Sequence, residues 1–165
     1  MTFDPGRIYA EEAKRTELAV VAGSYTRGSS LSTDGESAID VVGYGAQIVV
    51  QLGTHVVKMK LPTAHIEQER KVHGVHRIAI STPTECVRHV ANRDFAGRRI
   101  VPLFRRPANF HDRKLLGGIR AIHAGEGFGS IIGSNSFQHP KDEAIRMLGA
   151  VMDIHSAVPQ QSRAQ

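Results

Sequence analysis

Aromatic residues are scarce in this sequence, which has no tryptophan, three tyrosines and six phenylalanines among 165 residues. Proteins that bind single-stranded nucleic acid stack bases on aromatic side chains that are interleaved with basic ones. Here the formal net charge of +5 is spread along the chain, apart from short clusters at Arg98, Arg99 and at Arg105, Arg106. Such a charge suits a small anionic substrate equally well, because electrostatic steering is not specific for nucleic acid. We therefore expect no nucleic-acid partner.

Cysteine and long apolar runs are also scarce. Cys86 is the single cysteine, which excludes an intrachain disulfide and predicts a reducing, cytoplasmic setting. No apolar run approaches the roughly 18 residues of a transmembrane helix. The first residues, Met1 to Gly6, lack the basic and apolar regions of a signal peptide. The sequence thus predicts neither a membrane span nor a membrane partner.

Hydrophobic residues, by contrast, make up 41% of the chain, and charged residues of both signs make up 22%. This balance is typical of a chain that folds around a hydrophobic core, and the length suits one domain. We interpret residues 1–165 as a single domain with an ordered core over about 11–155 and a frayed tail over 156–165.

Apolar runs alternate with helical patterns along the chain. The runs predict four buried strands, over 18–23, 55–60, 100–104 and 128–132. Helical spacing predicts helices over about 9–17, 36–52, 84–95, 112–124 and 140–155. Asp34 is the predicted N-cap of the second helix and Gly53 its stop signal, and Pro83 and Pro140 open later helices. Strands that are apolar on both faces are typical of buried parallel sheets, so the order predicts an α/β fold with about four strand-helix units.

Lys58 is the strongest candidate for covalent chemistry. It stands at the C-terminal end of the second predicted strand, where α/β barrels place their catalytic groups. A lysine must lose its proton before it attacks a carbonyl carbon, and both desolvation and a neighbouring cation favour that loss. The apolar residues before Lys58 supply the first effect, and Lys60, on the same side of the strand, supplies the second. The alternative is that both lysines extend from the strand end into water, as most lysines do.

Three segments of the chain resemble the last four strand-helix units of DhnA-type class I fructose-bisphosphate aldolases, in the family's order. They are residues 21–28, residues 56–60, and the run from Gly127 to Gln138 followed by Pro140 and Lys141. The block Gly-Phe-Gly-Ser-Ile-Ile-Gly in the third segment is the most specific, and the similarity extends from about Glu11 to His155. The resemblance implies a TIM (β/α)8-barrel family fold, of which this chain holds the C-terminal half.

The resemblance also implies an activity, a lyase that cleaves a phosphorylated ketose. Lys58 matches the family lysine that forms an imine with the ketose carbonyl, and the protonated imine nitrogen accepts electrons when the C3–C4 bond breaks. No cofactor and no metal are needed. The substrate phosphate would lie on loops after the last two strands, near backbone N–H groups. The candidate phosphate ligands are Arg27, Lys60, Arg105, Arg106, Gly133 and Ser134.

Both phosphate loops depart from the family pattern. Ser134 replaces the arginine of a Gly-Arg-Asn motif, and Arg105, Arg106 and Pro107 replace Ser-Gly-Gly. Proline has no N–H to donate, although the two arginines could hold phosphate through their side chains. The alternative is that Arg105 and Arg106 form a solvated surface pair and that Arg27 is an ordinary loop arginine.

A complete barrel of this kind needs roughly 250 residues, so this chain supplies about half of the strands. By the resemblance, the acidic residue and the tyrosine that serve proton transfer lie in the absent half. Two copies could close a barrel, and we expect a homo-oligomer. Two other functions remain open, a different lysine-dependent enzyme such as an aminodideoxyheptulosonate synthase or a thiolase, and an inactive aldolase-like subunit that binds sugar phosphates or supports assembly.

Two further patterns carry less weight. His73 and His76, with Glu67 and Glu69 nearby, invite a metal hypothesis, but the spacing matches no known zinc site and solvated histidines explain it. The glycines of 125–129 precede a predicted strand, whereas a dinucleotide-binding loop follows one.

Overall fold

The computed structural model describes residues 5–68, 78–93, 100–103 and 112–157. Three strands form one parallel sheet in the order β1 (Val21–Ser24), β2 (Val56–Lys60) and β3 (Ile100–Leu103). Both strand pairs are parallel, and each connection passes through at least one helix. The α/β class predicted from the sequence is confirmed.

Six α-helices accompany the sheet: α1 (Pro5–Arg15), α2 (Ile39–Gln51), α3 (Pro83–Arg93), α4 (Asp112–Ala124), α5 (Ser134–Phe137) and α6 (Lys141–Ser156). The predicted bounds of α4 are confirmed at both ends. Pro83 opens α3 as predicted. Thr82 and Glu85 form a reciprocal cap, in which the Thr82 amide donates to the Glu85 carboxylate at 2.8 Å and the Glu85 amide donates to the Thr82 hydroxyl at 3.2 Å. The short helix α5 was not predicted.

The start and the end of α2 have different causes. Gly53 follows the helix with a φ of +95°, which confirms the predicted stop. The prediction that Asp34 caps the helix is wrong, because a 3-10 turn over Gly35–Ser37 intervenes and the Asp34 side chain makes no capping hydrogen bond. Instead, the amide of Ile39 donates to the carbonyl of His65 at 2.9 Å. A carbonyl from the loop after β2 therefore satisfies the first amide of α2.

The helices cover one face of the sheet. Val57 and Met59 of β2 are fully buried against side chains of α2 and α3 such as Val42 and Val90. A second core joins α4 to α6 through Leu115, Ile119, Met147 and Val151. In the helical layer α2 packs on α3, α3 on α4, and α4 on α6. The layer is therefore an ordered row of four helices, with α2 and α6 at its ends.

The predicted fourth strand is not formed. Residues 128–130 have no strand pairing, and Ile131 makes a single isolated bridge. A strand is stable only when its N–H and C=O groups find a partner along its length, and Gly127 and Gly129 weaken the extended conformation further. The described part of the chain thus has three strands where four were expected.

The other face of the sheet carries no helix among the described elements. Because side chains alternate along a strand, burial of Val57 and Met59 places Val56, Lys58 and Lys60 together on this open face. Val21 of β1, which pairs with Val56 in the register, is more than half exposed. In a closed barrel, the face opposite the helices is the interior.

Within the described residues, no helix has the length and apolar character to cross a bilayer.

Candidate active site

Lys58 is the third of the five residues of β2 and lies on the open face of the sheet. Its neighbours on the same strand, Val57 and Met59, point the opposite way into the core, and the Lys58 side chain is half-buried. The parallel register places Gly23 of β1 on one side of Lys58 and Val101 of β3 on the other. The structure places Lys58 on the second strand, as predicted, but two residues before the strand ends at Lys60. Its part in catalysis stays a prediction.

Tyr25 stands beside this lysine. The Nζ atom of Lys58 lies 6.0 Å from the centre of the Tyr25 ring. The ring lies over Gly23, where a Cβ atom would come within 2.7 Å of Cε2 of Tyr25. The absence of a side chain at Gly23 therefore allows the phenol to lie against the sheet next to Lys58. These three residues form one surface at the end of β1 and β2.

Lys60 is already bound by protein groups. Its ammonium donates to the carboxylate of Glu36 and, at 3.0 Å, to the carbonyl of Thr26. The Thr26 hydroxyl in turn donates to the carbonyl of Glu36. The result is a three-residue clamp that fixes the backbone at Thr26, between Tyr25 and Arg27. The prediction that Lys60 binds phosphate stays a prediction, and a phosphate would have to compete with the Glu36 carboxylate.

A second network fastens the loop after β1 to the loop after β2. The carboxylate of Glu67 accepts hydrogen bonds from the amide and the hydroxyl of Ser32, both at 2.9 Å, and contacts Nε2 of His65 at 2.7 Å. These bonds, first the one from the Ser32 amide and then those from His65 and the Ser32 hydroxyl, lower the pKa of Glu67 to about 2. Glu67 is therefore ionised at neutral pH and acts as a staple between the two loops.

Asp40, buried in the first turn of α2, holds the same segment from the other side. Its two carboxylate oxygens accept the amides of Glu67 and Gln68 at 3.1 and 2.6 Å. A buried carboxylate is tolerated when such bonds satisfy it. Asp40 and Glu67 together give the loop after β2 a defined position beside the open face.

The predicted phosphate ligands have different outcomes. Arg27 is exposed in the loop after β1, at the same edge of the sheet as Lys58 and Lys60. Gly133 precedes α5, and a Cβ atom built there would meet no atom within 4 Å, so the space beside its backbone is open. Ser134 is the first residue of α5. Arg105 and Arg106 lie outside the described residues.

The competing chemistries find little support. The described part of the chain contains no group of three or more metal-ligating side chains. His73, His76 and Glu69 lie outside the described residues. Burial, with a smaller effect from the charge of Glu85, raises the pKa of the Cys86 thiol, whose Sγ donates to the carbonyl of Ile80 at 3.3 Å. A protonated, buried thiol is a poor nucleophile.

Known structures share this fold. An archaeal fructose 1,6-bisphosphate aldolase superposes with a TM-score of 0.67 at 18% identity, over 90% of this chain and 49% of its own. The fructose-bisphosphate aldolase from Slackia heliotrinireducens gives a TM-score of 0.72 at 23% identity, over 91% of this chain and 42% of its own. The chain has the fold of one part of an aldolase barrel. The resemblance that the sequence showed is thereby confirmed at the level of fold.

The comparison with these aldolases also sets a limit, because the chain spans less than half the length of either. No family model matches the sequence, and neither does any curated protein sequence. At this low sequence identity the similarity shows the fold alone, so the chemistry of the site has to be argued from its own residues.

Sequence reasoning missed Tyr25 and Glu36 as members of the site. A signal for Tyr25 was available, since it follows Gly23 by two residues and side chains two apart along an extended chain face the same side. No local signal pointed to Glu36, because its contact joins the 3-10 turn before α2 to Lys60, the last residue of β2, 24 residues further along the sequence.

Proposed function

We propose that this chain is the lysine-bearing part of a Schiff-base aldehyde-lyase that acts on a phosphorylated ketose, as fructose-bisphosphate aldolases do. The observation that carries the proposal is the position of Lys58. It lies on a parallel strand, two residues before the carboxyl end of that strand, with a phenol beside it. Its side chain is on the sheet face opposite the helices, which a closed barrel encloses. The match to solved aldolases over nine-tenths of the chain supplies the scaffold.

The chemistry follows from an imine at Lys58. The neutral amine attacks the ketose carbonyl, the carbinolamine loses water, and the protonated imine that results is an electron sink. When a base takes the proton from the C4 hydroxyl, the C3–C4 bond breaks, the aldehyde leaves, and the bonding electrons give an enamine on the part still attached to Lys58. Protonation of the enamine at C3 and hydrolysis of the imine release the second product and restore the amine.

Tyr25 is the candidate for proton transfer. Its ring stands 6.0 Å from Lys58 Nζ, and a phenol can both donate and accept a proton. The assignment revises the expectation that the proton-transferring tyrosine belongs to the absent half of the barrel. The backbone clamp at Thr26 holds Tyr25 close to Lys58.

For the anionic end of the substrate we propose Arg27, Gly133 and Ser134, together with Arg105 and Arg106. Arg27 lies at the same sheet edge as Lys58, and the space beside Gly133 is open. Lys60 has a different part in this proposal. Because Glu36 and Thr26 already hold its ammonium, Lys60 acts on Lys58 as a fixed neighbouring charge and contacts the phosphate only if Glu36 yields it. A cytoplasmic setting remains a prediction from the sequence.

Reductive trapping tests the proposal. The protein is incubated with dihydroxyacetone phosphate and sodium borohydride, and the modified peptide is then identified by mass spectrometry. We expect the adduct on the peptide that contains Lys58, and none in the Lys58→Met variant. Lys114→Met removes an exposed lysine of α4 and is the matched control, which should be labelled as the wild type is.

The second candidate function is an inactive aldolase-like subunit that binds sugar phosphates or supports assembly. The departures from the family's phosphate-loop pattern at Ser134 and at residues 105–107 favour it. A chain with a folded circular dichroism spectrum that takes up no label at Lys58 would establish this alternative and reject the imine.

A further inference from the structure

The two ends of the helical row differ from its middle. No large hydrophobic side chain is exposed on the described residues of α3 and α4, the inner helices. On α2, at one end, Tyr44 is 59% exposed and Ile48 is 41% exposed. On α6, at the other end, Ile145, Leu148 and Met152 are exposed at 58%, 37% and 69%. We call these two surfaces the α2 flank and the α6 flank.

Spacing shows that each flank is a coherent stripe. Tyr44 and Ile48 are four residues apart in α2, and the three α6 residues follow one another at intervals of three and four. Residues at such intervals lie on the same side of a helix. Exposed apolar stripes of this kind mark surfaces that pack against another element, and in this chain they occur where the row of helices stops.

The α6 flank is also concave. A cavity of about 540 Å³ lies between α6 and the segment before α5, and its lining includes Leu148, Val151, Met152 and Ile132. At the polar end of the cavity Ser130 and His155 are hydrogen-bonded to each other at 3.0 Å. An aromatic side chain has room in a cavity of this size.

The sheet stops at the same two places. Among the described strands β1 is an edge strand, beneath α2, and in the segment over 127–132, beside α6, only Ile131 makes a bridge. Open strand edges are a liability that natural proteins cover. Each end of the row thus presents an apolar helix flank beside backbone groups that no described strand pairs.

We propose that a second copy of this chain covers both ends and closes a barrel, with the α2 flank of each copy packed on the α6 flank of the other. A (β/α)8 barrel has eight outer helices, and two copies of the row α2, α3, α4 and α6 supply that number. The solved aldolases are about twice as long as the part that this chain matches, which leaves room for a second half of similar size.

This head-to-tail contact is two-fold symmetric. Rotation by half a turn about the barrel axis brings each end of one copy to the opposite end of the other, so both contacts are identical and none is left over. In the closed dimer, residues 128–132 pair with β1 of the partner, and the open face that carries Lys58 becomes the barrel interior. The proposal does not depend on the imine chemistry.

Molecular mass measured by light scattering is the first test. The full chain should have twice its monomer mass of 18.0 kDa. Tyr44→Lys, on one flank, and Met152→Glu, on the other, should each reduce the mass to that of one chain, because each places a charge in both contacts. The controls are Asn92→Lys and Asn92→Glu on the exposed side of α3, which should leave a dimer.

Mixing the two flank variants is the sharper test. In a mixed dimer one contact carries both substitutions, as a facing lysine and glutamate, and the other contact is unaltered. A species of twice the chain mass should therefore reappear in the mixture. The species would not reappear if the α2 flank packed on the partner's α2 flank and the α6 flank on the partner's α6 flank. Every dimer would then contain at least one altered contact.

Several results would overturn the proposal. They are a wild-type chain of 18.0 kDa, an assembly of any other number of copies, a dimer that only one of the two flank variants dissociates, and a mixture that stays monomeric. Circular dichroism checks that each variant keeps its helices. If one does not, Ile48→Lys replaces Tyr44→Lys, and Ile145→Glu replaces Met152→Glu.

Discussion

The ammonium of Lys60 is bonded to the carboxylate of Glu36. Lys60 lies two residues along β2 from Lys58, on the same face of the sheet. The Lys60–Glu36 pair links the end of β2 to the 3-10 turn that precedes α2. Its partial exposure limits its contribution to stability to roughly 0–1 kcal/mol. Its greater effect is on position, because the same ammonium also donates to the carbonyl of Thr26 and so fixes the backbone next to Tyr25.

Lys60→Met should loosen the backbone at Thr26. The variant loses both the bond to Glu36 and the bond to the Thr26 carbonyl, so Tyr25 is held less firmly beside Lys58. If Tyr25 transfers the proton, the rate of aldol cleavage should fall roughly tenfold, whereas borohydride still traps the imine on Lys58. Glu36→Gln leaves the ammonium of Lys60 and its bond to the Thr26 carbonyl, so its effect on the cleavage rate should be smaller. Equal losses in both variants would contradict this account.

Gly23→Val should displace the Tyr25 ring. A Cβ atom at this position lies 2.7 Å from Cε2 of Tyr25, so the ring must leave its place beside Lys58. If Tyr25 transfers the proton, the rate of aldol cleavage falls roughly ten- to hundredfold, whereas the yield of trapped imine on Lys58 changes little. The control is Gly117→Ala in α4, where an added Cβ meets no atom within 4 Å, and it should leave the cleavage rate unchanged.

How much of this the sequence could predict depends on the range of the interactions. The bounds of α4, the stop at Gly53 and the strand that carries Lys58 depend on signals within a few residues, and they were predicted correctly. Lys58 itself lies two residues before the end of that strand and not at it. The predicted N-cap of α2 was wrong because the first amide of the helix, that of Ile39, donates to the carbonyl of His65 and not to Asp34. His65 is 26 residues further along the sequence. The fourth strand was wrong because a strand needs a partner, which no pattern within 128–132 can reveal.

The site divides in the same way. Lys58 was found because a strand end and a family motif coincide, whereas the partners of Lys60 and Glu67 come from distant loops. Ser32 and Glu67 are 35 residues apart, and nothing in either segment predicts that the carboxylate will meet the Ser32 amide.

Glu67 should make the stability of the protein depend on acid pH. Its pKa is lowered from 4.5 to about 2 in the folded chain, so its contribution is complete above about pH 4.5 and is lost as the pH falls towards 2. Urea unfolding over this range should show the loss. Glu67→Gln should be less stable than the wild type at pH 7 and should lose less stability between pH 4.5 and 2. Asp153→Asn, on the exposed surface of α6, is the control and should keep the wild-type dependence on pH.

His155 should add a second dependence on pH, nearer neutrality. Burial, and secondarily the charge of His123, lowers the pKa of His155 from 6.5, and the neutral ring is bonded to Ser130 at 3.0 Å. A lowered pKa means that the unfolded chain takes up the proton first. The contribution of the neutral imidazole is therefore complete above about pH 6.5 and is lost as the pH falls through the lower value of the folded chain.

His155→Gln keeps a polar partner for Ser130 and cannot be protonated, so the stability of this variant should fall less between about pH 7 and pH 5 than that of the wild type. Urea midpoints at the two pH values measure the difference. The residue lines the cavity of the α6 flank, so protonation also places a charge where the second copy is proposed to pack. The wild-type dimer should then dissociate more readily at pH 5 than at pH 7, and the His155→Gln dimer should not. Equal dissociation of both proteins at pH 5 would show that another group governs the acid response of the contact.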